Sequence, residues 1–297
     1  MIGSLPPTFP GRVGQILTAL QLIVAVTSYA NETNPETRAK YSKFASNENS
    51  SQTIKDSSSW PSKLAMFVIY APALLSSIVL LLLGSTNNIY KELLQHNVNI
   101  NVPNPSTAAY LCTIHFSKRV AEVLFLHHYS GRTDRGTPTM ISVYYTFAAI
   151  LVAYAGGSLR ASAKVDRDVD KMRMALGISL YALGILGNFY HHYLLARLRS
   201  SDSKQIKSSN ENDHVLKTYV APKGGLFSYV AAPHYLFELL GWTGIAIVSD
   251  HLNVYLLLAG MTSYLAGRSV AQNEFNRKRF NEKDWPTDRK NLIPFVF

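Results

Sequence analysis

Guanidinium, imidazole, amide and carboxylate side chains recur at helical spacing inside apolar stretches of this chain. An ionised group at membrane depth costs roughly 2.5 to 3.5 kcal/mol on insertion scales, so each needs a partner or a purpose. Asn188, His192 and Arg199 fall at offsets of 0, 4 and 11, and His115, Arg119 and Glu122 at 0, 4 and 7, so each set shares one helix face. His234 and Glu238 are one turn apart, and Arg268, Gln272, Asn276 and Arg279 follow at 0, 4, 8 and 11. Arg binds phosphate bidentately and amides orient a base, so the four stripes together suit a polyanionic, nucleotide-like ligand. The plainer reading is interhelical hydrogen bonding and snorkelling at membrane ends, which accounts for any single residue better than for the whole set.

Several chemistries are excluded or unsupported. Neither GxGxxG nor GxxxxGK[ST] occurs, so a nucleotide would have to sit within the helix bundle. His127-His128 and His191-His192 invite a metal reading, but neighbouring helical residues point about 100 degrees apart, so each pair offers one ligand to a common centre. No metal is expected. A single cysteine, Cys112, rules out an intrachain disulfide. The net charge of +10 is spread over loops between apolar runs, which favours anionic lipid or an anionic cofactor over nucleic acid.

The elements that must position these groups are apolar runs over 13–30, 64–84, 107–126, 140–159, 174–196, 226–248 and 252–267. They predict an all-α polytopic membrane protein of about seven transmembrane helices. The third run carries four ionisable groups and the seventh is short and interrupted by Gly, so these two are the least regular spans. The first run is followed by Asn-Glu-Thr-Asn-Pro rather than a small-residue cleavage site, so it is read as a retained helix. Twenty Lys and Arg flank one side of the seven spans and seven the other, which places the C-terminus in the cytosol. On that topology the sequons at Asn31 and Asn49 are cytosolic and unmodified. Residues 31–63 and 200–218 read as polar connectors, and a helical extension beyond run seven ends at Pro286. Three regions result: 1–63, a first helix and polar loop; 64–160, helices two to four; and 161–297, the C-terminal helices and tail.

GNFYHHYLLARLR (187–199), PKGGLFSYVAAPHYLFELLGW (222–242) and RKNLIPFVF (289–297) resemble the C-terminal signature of the steroid 5-alpha-reductase family. HFSKRVAEVLFLHHYSG (115–131) is most similar to that family's trans-2-enoyl-CoA reductase branch, and the whole resembles a plant-type subgroup of 3-oxo-5-alpha-steroid 4-dehydrogenase proteins. The resemblance covers roughly residues 60–297. It implies an NADPH-dependent enzyme of the endoplasmic reticulum membrane that reduces a carbon–carbon double bond in a lipid. By motif position it carries cofactor contacts to Asn188, Arg199, Glu238 and Arg268, with His192, His234 and Asn276 at neighbouring motif positions. His192 stands where steroid reductases have Asp and enoyl reductases have His, and His234 replaces the usual Asn.

Departures from the family pattern concern the substrate side. The catalytic Glu of the second helix is missing, with Ile69 and Tyr70 in its place, and Phe116 stands where steroid reductases have Tyr. Saturating an enone or enoyl thioester needs a donor on the carbonyl oxygen besides a hydride source. The candidates are Tyr235, Tyr70 and His115, of which Tyr235 is favoured. Tyr235 lies in the most diagnostic motif, and a phenol is protonated at neutral pH. The favoured function is reduction of a 3-oxo-4-ene steroid. The alternatives are a trans-2-enoyl-CoA reductase of fatty acid elongation, a membrane methyltransferase of the isoprenylcysteine type, or a noncatalytic membrane protein.

Overall fold

The computed structural model describes residues 6–39, 59–93, 105–158, 167–206 and 220–297, with side-chain surroundings defined except at 86–93, 157–158 and 199–206. The proposed Asn49 sequon, most of the 31–63 connector and most of the 200–218 connector lie outside the described residues. Seven α-helices follow in order: α1 Gly11–Thr33, α2 Ser62–Leu93, α3 Thr107–Ala121, α4 Gly136–Ser158, α5 Arg167–Ile206, α6 Pro233–Ser249 and α7 Leu252–Arg279. The only sheet among the described residues pairs Ser59–Pro61 (β1) with Arg132–Asp134 (β2) antiparallel, Trp60 opposite Thr133. The protein is an all-α polytopic membrane protein.

Among the described residues, four of these seven helices are long and apolar enough to cross a membrane: α1, α2 over Ser62–Ser85, α4 over Gly136–Gly156, and α5 over Arg167–Leu198. The three others differ from the expected spans for visible reasons. The third run is not one helix: α3 ends at Ala121 and Glu122–Leu126 form a π-helical turn, so only 15 residues are α-helical. The sixth run starts in a 3-10 turn, Gly225–Ser228, and α6 begins at Pro233, whose missing N–H suits the first helical position. In α7 the second half is polar, and its stripe of Arg268, Gln272 and Asn276 is buried in protein rather than exposed to lipid.

Local chemistry sets the ends. The Ser106 hydroxyl accepts from Ala109 N at 3.2 Å and caps α3, and the His251 Nδ1 accepts from Asn253 N at 3.2 Å and caps α7. Asp250, in the left-handed conformation, closes α6. α5 and α6 form the closest helix pair: a Cβ on Gly184 would collide with Gly241, and one on Gly244 with the Gly177 carbonyl. Small residues thus let the two backbones approach as in membrane helix packing. α1 lies along α7 and α2 along α4, while α3 contacts α2, α4 and α6 from the middle. Phe116, Trp242, Ile69 and Ile245 fill the apolar centre.

Beyond α7 the chain turns back. Trp285 is buried and donates to Asn273 at 2.8 Å, and Asn273 donates to Arg289 O and Asn291 Oδ1, both at 2.9 Å. Ala231 N donates to Lys290 O at 2.8 Å and Ala232 N to Asn291 O at 3.1 Å. The last residues are thereby fixed against the entrance to α6, next to His234.

Candidate functional site

Glu122 is the organising residue. It is 2% exposed and lies on the π turn after α3. Its Oε1 meets Lys118 Nζ at 2.8 Å, and its Oε2 meets Arg119 Nη1 at 2.6 Å and His192 Nδ1 at 3.0 Å. Arg119 then reaches α2: its Nη2 donates to the Tyr70 hydroxyl at 2.5 Å, and its guanidinium lies 4.6 Å from the centre of the Tyr70 ring. Lys118 donates to Asn188 Oδ1, and Asn188 Nδ2 donates to the backbone carbonyl of His234 at 2.8 Å. Four helices therefore meet in one buried polar network. π turns recur at functional sites because the extra residue re-aims side chains, and here the turn aims Glu122 inward.

One turn deeper, His115 Nε2 meets Glu238 Oε1 at 3.2 Å, and Trp242 Nε1 donates to the same oxygen at 3.4 Å. A cavity of about 10 Å³, the size of about one water, is bordered by His115, Lys118, Tyr181, Asn188 and Glu238. Two cations and two carboxylates are interleaved in this region, with His115, His192 and His234 among them. Buried charges persist only when paired and hydrogen-bonded, and this arrangement meets that condition.

The expected stripes are brought together unevenly. Asn188, His192, His115, Arg119, Glu122 and Glu238 all join the network. His234 packs its ring 5.4 Å from His192 and 4.2 Å from Tyr235, so Tyr235 sits at the network's edge, half-buried. Within the His115–Arg119–Glu122 stripe, His115 pairs with Glu238 of α6 rather than with its own helix. Arg199 is on α5, but its side chain lies outside the described residues. Arg268 is elsewhere: its Nη1 meets Glu32 Oε2 at 3.1 Å and donates to Ala39 O at 2.8 Å, both partners belonging to the end of α1 and the segment after it. Asn276 and Gln272 are buried, Gln272 donating to Ala231 O at 3.2 Å. Arg279 is exposed beside Phe275.

Glu122, His127 and His192 place one donor each within 4.8 Å of one another, a convergence that residue spacing alone does not reveal because it depends on the π turn. The chemistry of the donor set does not suit a divalent ion. Both Glu122 oxygens already serve Lys118 and Arg119, so an ion there would face two fixed cations within contact distance. His191 points away, taking Leu226 N at 3.1 Å on Nε2 and stacking on Phe237, which bears out the divergence of adjacent histidines.

A second, apolar cleft of about 260 Å³ lies between α1, α4 and α7, lined by Leu17, Leu20, Val24, Tyr144, Phe147 and Leu257 among others. Tyr144 at its wall is 6.1 Å from Tyr145, and Tyr145 stacks on Tyr70 at 5.6 Å, so a row of aromatic rings runs from the cleft to the network.

Residues 139–297, more than half of the chain, match the family model described as 3-oxo-5-alpha-steroid 4-dehydrogenase. A very-long-chain enoyl-CoA reductase of Dictyostelium discoideum is 28% identical over 62% of this chain and 55% of its own length. A 3-oxo-5-alpha-steroid 4-dehydrogenase 2 of Macaca fascicularis is 30% identical over 59% of this chain and 66% of its own length. The human 3-oxo-5-alpha-steroid 4-dehydrogenase 2 is 31% identical over 42% of this chain and 44% of its own length. The match thus spans less than two thirds of these relatives. The α5 and α6 side of the polar network and the tail folded against it lie within the matched region, whereas its α2 and α3 members precede it; the match over more than half of the chain shows that the chain belongs to the 3-oxo-5-alpha-steroid 4-dehydrogenase family.

Proposed function

We propose that this protein is an NADPH-dependent reductase that saturates a carbon–carbon double bond conjugated to a carbonyl in a membrane lipid, with a 3-oxo-4-ene steroid as the favoured substrate. The observation that carries this reading is the hydrogen bond from Arg119 to Tyr70. It gives α2 a phenol, backed by a guanidinium, where the family resemblance calls for a carboxylate. The apolar cleft and the aromatic row from Tyr144 to Tyr70 support a lipid as the molecule reduced.

The residues fit a nicotinamide nucleotide on the side of α5, α6 and the tail. Among the described residues, the buried nitrogens Nε and Nη1 of Arg289 and Nε of Arg119 have no hydrogen-bond partner, and buried donors of this kind suit an anionic group. Asn188, His192, His234 and Glu238 would hold the amide and ribose end, and Arg289 with Arg199 the phosphates. Arg289 was not singled out by helical spacing because it lies in the irregular tail. Arg268, paired with Glu32, would have to exchange that partner to take part. When bound, NADPH supplies the hydride for the β carbon.

The protein's own part is to hold the carbonyl and move one proton. The Tyr70 hydroxyl would donate to the carbonyl oxygen as negative charge develops there, with the Arg119 guanidinium at 2.5 Å compensating charge on the phenol oxygen; a proton taken up at the α carbon would then restore the carbonyl and complete the saturation. Glu122 keeps Arg119 aimed, and its contact with His192 links that guanidinium to an imidazole able to relay a proton. Tyr235 and His115 remain further candidates; Tyr235 lies beside His234, and His115 is held by Glu238.

The second reading, a trans-2-enoyl-CoA reductase, is favoured by one feature. The hydroxyl that steroid reductases place at position 116 is absent, and Phe116 is fully buried. Both readings place the protein in the endoplasmic reticulum membrane with its C-terminus in the cytosol. Purified protein supplied with NADPH and either cholest-4-en-3-one or a long-chain enoyl-CoA decides between them by product mass, a gain of two hydrogens being expected with one substrate. NADPH titration against S-adenosylmethionine titration tests the class itself: binding of the latter alone would favour the methyltransferase, and binding of neither a noncatalytic role.

A further inference from the structure

The final six residues form a closed turn, anchored inward by Leu292 and Phe297 and exposed at its tip. Leu292 N and Ile293 N both donate to Phe297 O at 2.7 Å, and Phe297 N donates to Ile293 O at 3.0 Å. Leu292 is buried in the main core and fixes the turn to the bundle. Between these anchors Phe295 adopts φ of 66°, a left-handed conformation that is an outlier for an aromatic residue. The strained backbone presents Phe295 and Val296 outward, 78% and 75% exposed. Tyr229, from the loop before α6, packs 5.5 Å from Phe295, and Ile293 is also exposed, giving a small apolar wedge flanked by Lys290.

Its level relative to the bilayer can be read from α5. Leu183, Leu186, Tyr190, Tyr193 and Arg197 are exposed and fall on one stripe of that helix, which is apolar and long enough to span a membrane. Along the stripe, aliphatic side chains give way to tyrosines and then to arginine, whose guanidinium lies 5.8 Å from the Tyr193 ring. That succession marks the passage from hydrocarbon through the aromatic belt to the headgroups. The wedge is tied to this level. Leu226 N donates to His191 Nε2 at 3.1 Å, and a Cβ on Gly225 would lie 3.0 Å from the Tyr190 ring, so the turn leading to Tyr229 rests directly on the tyrosine layer. Lys290 N donates to Tyr229 O at 3.0 Å, which joins the tail to that turn.

We infer that the Tyr229–Phe295–Val296 wedge is a membrane-interface anchor, seated in the headgroup and upper acyl region of the bilayer that α5 crosses. The occupant of this apolar surface is lipid because the surface continues the lipid-facing stripe of α5 and stands beside an exposed lysine suited to anionic headgroups. The consequence is mechanical. The segment carrying Trp285, Arg289 and Asn291 is clamped at one end by Asn273 and at the other by the bilayer.

A nitroxide on Val296→Cys, in nanodiscs of phosphatidylcholine and phosphatidylserine, reads its depth through collision with oxygen or with a water-soluble nickel chelate. The unsubstituted chain, whose cysteine is buried, serves as the blank. Oxygen collisions are expected to dominate at 296, as at a Tyr193→Cys reference, while nickel dominates at an exposed Lys283→Cys reference. Nickel dominance at 296 would overturn the inference, as would shielding from both reagents that appears only with two protein copies per disc. As an independent measurement, Phe295→Asp is expected to speed carboxypeptidase trimming of the C-terminus in proteoliposomes by roughly tenfold, with Phe295→Leu unchanged. Equal trimming of the two variants would count against the anchor.

Discussion

Two buried ionic clusters, the Glu122 network and the Glu32–Arg268 clamp, use the same chemical groups for different ends. The clamp is one carboxylate and one guanidinium, each nearly fully buried, joining the end of α1 to α7. Around it the backbone closes in: Ala39 N donates to Glu32 Oε1 at 2.9 Å, and a Cβ on Gly267 would lie 2.8 Å from Tyr29 O. The Glu122 network instead draws on α2, α3, α5 and α6, contains imidazoles and a phenol, and borders a cavity. A balanced pair in a closed seam holds helices together. A branched network with exchangeable protons beside open space can also act on a bound molecule.

The largest expected effect breaks the network at its centre. Glu122→Gln removes the charge that compensates Lys118 and Arg119 and leaves one amide oxygen where two carboxylate oxygens served three partners, and breaking a buried pair costs about 3–5 kcal/mol. A severe loss of folded protein in detergent is expected, seen as reduced monodisperse yield and a lower unfolding temperature. A variant as stable as the parent would mean that water or lipid reaches Glu122.

For the clamp the comparison is sharper, because a structural pair can be replaced. Glu32→Gln alone removes the charge opposite Arg268 and is expected to destabilise by about 3 kcal/mol, somewhat less than Glu122→Gln because one buried cation rather than two loses its counter-charge. The double variant Glu32→Leu with Arg268→Met is expected to recover most of that loss, since apolar residues of similar volume often replace a buried pair without cost. NADPH affinity then separates the two roles left to Arg268. An unchanged affinity in the double variant makes the pair purely structural, and a lost affinity with recovered stability makes Arg268 a phosphate ligand held in reserve.

How much of this was legible in the sequence depends on whether a feature is local to one helix. The all-α architecture and seven helical segments follow from apolar runs, and the facing of Asn188 and His192 follows from their four-residue spacing. Partner choice between helices does not follow from spacing: His115 selects Glu238 on α6, and Arg268 selects Glu32. Glu32 was hidden because it sits at the edge of a polar connector, where a carboxylate is ordinarily solvated, whereas α1 in fact continues to Thr33 and buries it. The meeting of Glu122 with His127 and His192 was hidden by the π turn, which shifts the 3.6-residue register on which stripe arguments rest.

A smaller effect, confined to catalysis, tests what the network does. Tyr70→Phe keeps the ring stack on Tyr145 and removes the hydroxyl that Arg119 meets, so stability should change little. Turnover is expected to fall by about 100-fold, the lower range for losing a positioned proton donor. NADPH binding should remain. Tyr235→Phe, at the network's edge, is expected to cost less. The reverse order would return the donor role to Tyr235 and make Tyr70 a residue that only positions Arg119.

The smallest effect comes from an ion pair outside both clusters. Lys223, before the turn that leads to α6, donates to Asp284 on the tail at 2.9 Å, and that hydrogen bond holds the Asp284 carboxyl below the usual aspartate range. A lowered carboxylate contributes stability above its ordinary pKa and loses it as pH falls through the lowered value, so the contribution should be complete at neutral pH and vanish only in strong acid. Both side chains are open to solvent, where pairing is screened and offset by the entropy of ordering two long chains. Asp284→Asn is therefore expected to leave the unfolding temperature at pH 7 within error of the parent, and to flatten only the acid limb of its pH dependence. The pair's N···O distance, 2.9 Å, is within 0.2 Å of that in the Glu32–Arg268 clamp at 3.1 Å. A measurable loss at neutral pH would mean that proximity alone sets the strength of these pairs. The expected null result assigns the difference to burial, the property that separates both membrane clusters from this one.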